Sequence, residues 1–265
     1  MSLEFKDKNY WAVILGGSAG LGLAAAKKLA ENGMNICIVH RDRRSDLPNI
    51  EKHFNEIKSY NAGFLSFNSD ALKPETRNEV ILKLKENWKE KSSVRVLIHS
   101  IAKGNLKPMI SKNTPVLNND DFHLTLEAMA ISLYDWTKDL HNCGLFSSDA
   151  RVIGFTSEGN RKAWKNYAAV SAAKAALEAI TRNIALEFAP YGIRANCIQA
   201  GITDTNSFRM IPGSQELAEY SKKRNPYKRL TLPENIADAV YLLALDEASW
   251  INGSVIPVDG GEHLS

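Results

Sequence analysis

The sequence has few cysteines, little excess charge and no long hydrophobic run. Its three cysteines, Cys37, Cys143 and Cys197, lie far apart without a metal-ligand spacing, which predicts free thiols and neither a disulfide framework nor a metal site. The longest apolar run near the N-terminus, residues 11–15, is too short for a membrane span or a signal segment. A formal net charge of +3 is too small to indicate nucleic-acid binding. These absences predict a cytoplasmic protein that binds neither nucleic acid nor membrane.

Apolar runs alternate with amphipathic stretches along the chain. We predict strands near 11–15, 35–39, 64–67, 94–98, 151–155, 194–198 and 254–258, and helices over 21–32, 50–61, 75–91, 120–143, 164–190 and 233–245. Because strands that are hydrophobic throughout and separated by helices form parallel sheets covered on both faces, the fold class is α/β. The sequence predicts a single Rossmann-type, doubly wound domain over residues 1–265, with a seven-stranded parallel sheet flanked by helices.

A glycine-rich turn, Gly-Gly-Ser-Ala-Gly-Leu-Gly at residues 16–22, joins the first strand to the first helix. Its glycines permit a tight turn, close approach of a phosphate and close packing of helix on strand, and the first N–H groups of the helix can receive a pyrophosphate. We therefore predict dinucleotide binding by this turn, the alternative being a merely flexible connection. The residues assigned to the cofactor are Gly16, Ser18, Gly20, Leu21 and Gly22.

The ends of the next strands suggest how the rest of a dinucleotide is held. Arg41 follows the second strand, where a carboxylate would hold a ribose diol and a guanidinium suits a 2′-phosphate. This favours NADPH over NADH, with Asp42 as the argument against it. Asp70, after the third strand, either accepts from an adenine amine or starts a turn. His99 ends the fourth strand with no second ligand near it in sequence, which favours a hydrogen-bonded core histidine.

The stretch from residue 157 onward carries the candidate chemistry. We predict a helix from Trp164, on which Tyr167, Ser171 and Lys174 share one face at i, i+4 and i+7. A phenol beside an ammonium is an acid whose pKa is lowered by the neighbouring charge. Since a Tyr-x6-Lys spacing is common, a helix with an ordinary tyrosine and a surface lysine is the alternative.

The glycine turn, Asp70, the Tyr/Lys helix, Ala-Gly-Ile-Thr-Asp-Thr at 200–205 and Val-Asp-Gly-Gly at 258–261 resemble the short-chain dehydrogenase/reductase superfamily, from about Tyr10 to Gly261. Within it the chain resembles the bacterial enoyl-[acyl-carrier-protein] reductases. The usual Tyr-x3-Lys is replaced by Tyr-x6-Lys, with Val170 at the usual tyrosine position. His-Ser-Ile-Ala at 99–102 resembles the enoyl reductases, and Ser132 lies where ketone reductases place an asparagine. The ordinary glycine turn resembles the NADPH-using subgroup.

The resemblance implies reduction of the C2=C3 double bond of trans-2-enoyl-acyl-carrier protein, or another enoyl thioester, in fatty-acid synthesis. NADPH is the implied cofactor, with NADH possible. Hydride would reach the β-carbon while Tyr167 stabilises the enolate oxygen, Lys174 holds the nicotinamide ribose, and Ser157 takes the place of a second tyrosine. Ile202 would meet the nicotinamide carboxamide through its backbone, and Thr205 the pyrophosphate. The remaining implied cofactor contacts are Ala71, Ser100, Ile101, Ala102 and Gly201.

Residues 206–228 mix apolar side chains with glycine and proline, which predicts either a substrate lid or an irregular surface helix. A basic cluster within and just after this segment would steer an acidic acyl-carrier protein, unless it is a solvated charge run. The cluster comprises Lys222, Lys223, Arg224, Lys228 and Arg229, with Arg161, Lys162 and Lys165 as a second candidate. The resemblance also implies a homotetramer. A ketone (3-oxoacyl) or sugar reductase, which would carry tyrosine at 170, and a non-catalytic NADPH-binding scaffold are the alternatives.

Overall fold

The computed structural model describes residues 3–264. In this part of the chain the strands are β1 (Tyr10–Leu15), β2 (Asn35–His40), β3 (Phe64–Asn68), β4 (Ser93–His99), β5 (Phe146–Ser157), β6 (Ile193–Ala200) and β7 (Val255–Val258). The α-helices are α1 (Gly20–Glu31), α2 (Leu47–Ser59), α3 (Pro74–Asn87), α4 (Asn119–Leu126), α5 (Ser132–Asn142), α6 (Ala168–Glu187), α7 (Asn206–Arg209), α8 (Ser214–Arg224) and α9 (Pro233–Ala244). Single helices separate the strands from β1 to β4, whereas two helices lie between β4 and β5 and three between β6 and β7.

The seven strands form one parallel sheet in the order β3-β2-β1-β4-β5-β6-β7, which confirms the predicted doubly wound α/β fold. Strand order reverses between β1 and β4, the place where such sheets bind ligands beyond the carboxyl ends of their strands. The two connections leaving this point are held close together. Ser100 N donates to Leu15 O at 2.8 Å, and Gly16 N donates to Val39 O at 2.8 Å.

An apolar core lies on each face of the sheet. On one face α1, α2 and α9 contribute Leu29, Phe54 and Val240, and on the other α3 and α5 contribute Leu84 and Trp136. Burial on both faces explains why the strands read as continuous hydrophobic runs rather than alternating ones. Among residues 3–264, no helix combines the length and the apolar character needed to cross a bilayer.

The helix predicted over 75–91 ends at Asn87, and two other predicted helices differ more from the structure. The helix predicted from Trp164 begins at Ala168, because Asn166 adopts a φ of +62°, which a right-handed helix excludes. Tyr167 is therefore the N-cap residue, and its carbonyl accepts from Ser171 N at 2.8 Å. The prediction that Tyr167 lies within the helix is wrong, although the side chains of Tyr167 and Lys174 do line one cavity.

The helix predicted over 120–143 is divided. A five-residue π-helical turn, Glu127–Ile131, separates α4 from α5. Hydrophobic periodicity does not distinguish such a turn from continuous α-helix, because the apolar face passes through it unbroken.

Candidate active site

A cavity of about 750 Å³ lies at the carboxyl ends of the strands. A neighbouring cavity of about 340 Å³ shares part of its wall, including Gly16, Ser18 and Asp42. The predicted site residues that line one or both are Gly16, Ser18, Gly20, Leu21, Arg41, Asp70, Ala71, Ser100, Ile101, Ala102, Ser157, Tyr167, Lys174, Gly201, Ile202 and Thr205. The structure thus brings together residues from the ends of six strands.

Gly22 is the predicted site residue outside these walls. It lies beneath the turn, where an added Cβ would meet Gly16 O at 2.4 Å and Ser100 Oγ at 3.0 Å. Gly16 has a φ of +82°, and a Cβ there would lie 2.5 Å from Ser100 O. The glycines at 16 and 22 therefore permit the close packing of the turn against α1 and the loop after β4.

The amino end of α1 fits a bound pyrophosphate. Its N-cap residue, Ala19, offers no side-chain oxygen, and the first turn carries no acidic residue. The N–H groups of this turn are thus not satisfied by a side-chain cap and can bind an anion. Thr205 lies across from Gly20, with its Cγ2 3.4 Å from the position of an added Cβ. Its hydroxyl oxygen accepts from Phe208 N at 3.2 Å, which leaves the hydroxyl hydrogen to donate to a phosphate.

At the adenosine end, two predicted cofactor residues contact each other. Arg41 Nη1 donates to Asp70 Oδ2 at 2.6 Å, with the Arg41 side chain 62% exposed. Burial alone would raise the pKa of Asp70, but hydrogen bonds from Leu72 N and Arg41 lower it below its usual value. A 2′-phosphate would have to compete with Asp70 for the guanidinium. Asp42, held by His40 Nδ1 at 2.8 Å, places a second carboxylate in this region.

Tyr167 lies in the wall of the larger cavity and is only 7% exposed. Its ring packs against Trp164 with centroids 5.1 Å apart. Burial raises the pKa of Tyr167, and the neighbouring Ser157 hydroxyl acts in the opposite direction. The expected lowering of the Tyr167 pKa by a nearby ammonium is therefore wrong, because desolvation of the phenolate sets the direction of the shift and the opposing group is the Ser157 hydroxyl. Ser157 Oγ is itself buried and makes no hydrogen bond of regular geometry.

Lys174 is buried on α6 beneath the same wall. Its Nζ donates to Phe155 O at 2.6 Å, which uses one of its three hydrogens. Burial lowers the pKa of Lys174 to about 8, while Cys197 and Glu178 act in the opposite direction. The ammonium is therefore still the main form at pH 7, and two N–H groups remain for a ligand.

His99 is a core histidine, as predicted. Its Nε2 lies 2.8 Å from Ser132 Oγ, and Ser132 donates its own hydrogen to Ala128 O at 3.0 Å. Ser132 must therefore accept from Nε2–H. Burial, together with the charge of Lys174, lowers the pKa of His99 to about 3, so the ring is neutral. Ser132, at the position where ketone reductases place an asparagine, is buried and forms hydrogen bonds with His99 and Ala128.

The segment 206–228 forms α7 and α8, and contributes Phe208 and Ile211 to the larger cavity. Arg224, expected in a surface basic cluster, has a side chain that is only 8% exposed. Its guanidinium pairs with Glu158 at 2.5 Å and Glu262 at 2.8 Å. The expectation that Arg224 steers a carrier protein is therefore wrong. No signal in the sequence reveals these pairs, because the partners lie 66 and 38 residues away.

Comparisons with known proteins find related enzymes. Residues 16–263 match the family model described as Enoyl-(Acyl carrier protein) reductase. The Enoyl-[acyl-carrier-protein] reductase [NADH] FabI of Aquifex aeolicus (strain VF5) is 28% identical over 217 residues, covering 82% of this chain and 78% of that protein. The crystal structure of the Enoyl-[acyl-carrier-protein] reductase (NADH) from Aquifex aeolicus VF5 has a TM-score of 0.83 at 26% identity, covering 100% of this chain and 99% of that one.

Two further relatives differ in cofactor and substrate. The Enoyl-[acyl-carrier-protein] reductase [NADPH] FabI of Staphylococcus aureus (strain MRSA252) is 26% identical over 262 residues, covering 98% of each chain. A Bacillus subtilis (strain 168) protein named "Probable 2,4-dienoyl-CoA reductase [(2E)-enoyl-CoA-producing]" is 30% identical over 258 residues, covering 96% of each. The relatives are thus reductases that differ in the nicotinamide cofactor and in the thioester that their names state.

Proposed function

Because the chain belongs to the Enoyl-(Acyl carrier protein) reductase family, we propose that it reduces the C2=C3 double bond of a trans-2-enoyl thioester with NADPH. It is an oxidoreductase of the short-chain dehydrogenase/reductase type, and its relatives use nicotinamide cofactors. The proposal concerns which bond is reduced and which cofactor is preferred.

The position of Tyr167 carries the proposal. At the position where the superfamily's ketone reductases carry their acid, this chain has Val170. That side chain is buried and packed so closely that a Cβ on Gly104 would lie 2.7 Å from its Cγ2. The phenol lies three residues earlier, in the turn before α6, with Lys174 retained. The cavity wall therefore presents a phenol that is displaced from the ketone-reductase position.

This displacement suits an enoyl thioester. In a ketone, hydride and the stabilising donor act on the two atoms of one C=O bond. In an enoyl thioester, hydride adds to the β-carbon while negative charge develops on the thioester oxygen, so the donor must lie farther from the hydride source. The displacement is set by the turn at 164–167, since Tyr167 precedes α6.

The residues of the site then have distinct roles. Bound NADPH supplies the hydride. The Lys174 ammonium binds the ribose hydroxyls with the N–H groups that Phe155 O leaves available. The Tyr167 hydroxyl donates to the thioester oxygen as charge develops there. Because burial raises the pKa of Tyr167, the phenol remains protonated and acts as a hydrogen-bond donor across the neutral range.

The rest of the larger cavity suits an acyl chain. Apolar side chains from separate segments surround the Tyr167 end, and two of them belong to the segment 206–228, which we propose as the lid. These side chains are Leu106, Met129, Trp164, Phe208 and Ile211. An acidic acyl-carrier protein remains the proposed carrier. The basic residues left for it at the surface include Arg161 and Lys165, since the side chain of Arg224 is only 8% exposed.

The direct test follows absorbance at 340 nm with purified protein, NADPH or NADH, and either crotonyl-CoA or acetoacetyl-CoA. The proposal predicts oxidation of NADPH with crotonyl-CoA and little with acetoacetyl-CoA. Turnover of acetoacetyl-CoA alone would identify a ketone reductase and overturn it. Oxidation of NADH alone with crotonyl-CoA would keep the reaction and refute the role of Arg41.

A second candidate substrate, a 2,4-dienoyl-CoA, is favoured by the 30% identity to the Bacillus subtilis relative. Hexadienoyl-CoA in the same assay distinguishes the two. Faster turnover of hexadienoyl-CoA than of crotonyl-CoA, by more than about tenfold in kcat/KM, would favour the dienoyl substrate.

A further inference from the structure

Both backbone polar groups of Ile202 are already bonded within the protein. Its N–H donates to Glu262 Oε2 at 3.4 Å, and its carbonyl accepts from Thr231 N at 3.0 Å. Ile202 lines the larger cavity, and its backbone is the group expected to meet the nicotinamide carboxamide. A carboxamide oxygen that accepts from Ile202 N–H must therefore compete with Glu262. The Glu262 bond is long and so is the weaker of the two.

Glu262 is a buried carboxylate, with its side chain 3% exposed. Its other oxygen accepts from Arg224 Nη2 at 2.8 Å. Arg224 is the last residue of α8, and the same guanidinium also binds both oxygens of Glu158, at 2.5 Å and 3.2 Å. One side chain thus connects the segment 206–224, the C-terminal turn and the residue after Ser157.

The charges around Arg224 balance one another. Lys162 Nζ contacts Glu158 at 2.6 Å, so two cations balance two carboxylates. Since an unpaired buried charge is costly, Glu262 cannot lose both of its partners at once. A neighbouring bond lies just outside both segments, because Asn225, the residue after α8, donates from Nδ2 to Asp259 O at 2.8 Å.

We propose that Arg224 is a positioning residue that couples binding of the dinucleotide to the placement of the segment 206–224 over the site. When a carboxamide takes the Ile202 N–H, Glu262 retains Arg224 as its partner, and the Arg224–Glu262 contact strengthens. The end of α8 is then held more firmly to the C-terminal turn. By thermodynamic linkage, if dinucleotide binding favours the ordered segment, the ordered segment binds the dinucleotide more tightly by the same factor. This inference rests on the proposed function only in requiring that the chain bind a nicotinamide dinucleotide.

The test measures hydrogen exchange, by mass spectrometry, of peptides within 206–224 with and without NADPH, and no thioester present. In the wild-type protein NADPH is expected to slow exchange of these peptides by about fivefold or more, the lower end of ordinary coupling. In Glu262→Gln the protection of 206–224 is lost, while that of the glycine turn at 16–22 remains. The NADPH Kd from fluorescence titration stays within about threefold, because the neutral amide is also a weaker competitor for Ile202 N–H.

Arg209→Gln is the matched control. Arg209 lies in the same segment, and its pair with Asp204 is exposed on both sides (63% and 55%), so its loss should leave the NADPH-dependent protection intact. Arg224→Lys keeps the positive charge but removes the forked donor, so it should reduce the NADPH-dependent protection of 206–224. This variant replaces Glu262→Gln in the test if Glu262→Gln fails to fold.

Equal protection of 206–224 in the wild type and Glu262→Gln, or none in the wild type, would overturn the inference. The exchange experiment contains no thioester. Its result therefore tests the role of Arg224 even if the protein does not reduce enoyl thioesters.

Discussion

Replacing Tyr167 by phenylalanine removes one hydroxyl and little else. The ring is buried against Trp164, and a Cβ on Gly159 would lie 2.6 Å from its Cε1, so the aromatic ring fixes its own position through packing. In the proposed reaction the hydroxyl donates to the thioester oxygen as negative charge develops there. Removing a single donor of this kind typically costs about 3–4 kcal/mol, or roughly 10²–10³ in kcat.

We therefore expect kcat/KM of Tyr167→Phe with crotonyl-CoA to fall by about 10²–10³, with the NADPH Kd unchanged because Lys174 is intact. The assay pairs initial rates at 340 nm with fluorescence titration of NADPH. Val170→Ala is the matched control at the ketone-reductase position. It removes about two methylene equivalents of buried surface, roughly 1.6 kcal/mol of stability, without removing a donor. A Tyr167→Phe value within about threefold of wild type would refute the assignment.

Three further predictions concern the cofactor, the pH dependence and Ser157. Arg41→Ala should raise the NADPH Kd about 5–30-fold and leave the NADH Kd unchanged. The mutation removes a charged hydrogen bond to the 2′-phosphate worth ~1.5–3 kcal/mol, but wild-type Arg41 must first give up its pair with Asp70, which makes the net loss smaller. Equal effects on both cofactors would contradict this prediction. Since burial lowers the pKa of Lys174 to about 8, the ammonium is lost as pH rises through that value, and kcat/KM should decline above about pH 8; a flat profile to about pH 10 would argue against its role. Ser157→Ala removes a group that opposes the rise in the pKa of Tyr167, so kcat/KM should fall less than in Tyr167→Phe; a larger fall would mean that Ser157 itself contacts substrate.

The buried strands could be predicted from the sequence because burial on both faces leaves continuous apolar runs. Where polar residues interrupt an apolar run, the predicted strand is shorter than the strand in the structure. β5 begins at Phe146, five residues before the predicted start, because Ser147, Ser148 and Asp149 interrupt the hydrophobic pattern. The start of α6 was misplaced for a different reason. A left-handed Asn166 is set by the turn around it and leaves no trace in alanine-rich periodicity.

Much of the wall of the two cavities could also be predicted, since many of its residues follow the ends of predicted strands. The hydrogen bonds and ion pairs that side chains form in these walls could not be predicted in the same way. Arg41 pairs with Asp70 from the next strand end, and Arg224 pairs with carboxylates far along the chain. Such pairs depend on the folded arrangement of segments that are distant in sequence. The direction of the Tyr167 pKa shift likewise depends on burial, which the spacing of Tyr167 and Lys174 does not reveal.

The destination of the hydride tests the central claim most directly. Turnover of crotonyl-CoA with NADPH carrying deuterium at the transferred position of the nicotinamide ring, followed by NMR of the product, shows which carbon receives it. We expect butyryl-CoA with deuterium at C3 and none at C2. Deuterium on a carbinol carbon from a ketone substrate, with crotonyl-CoA left unreacted, would contradict it.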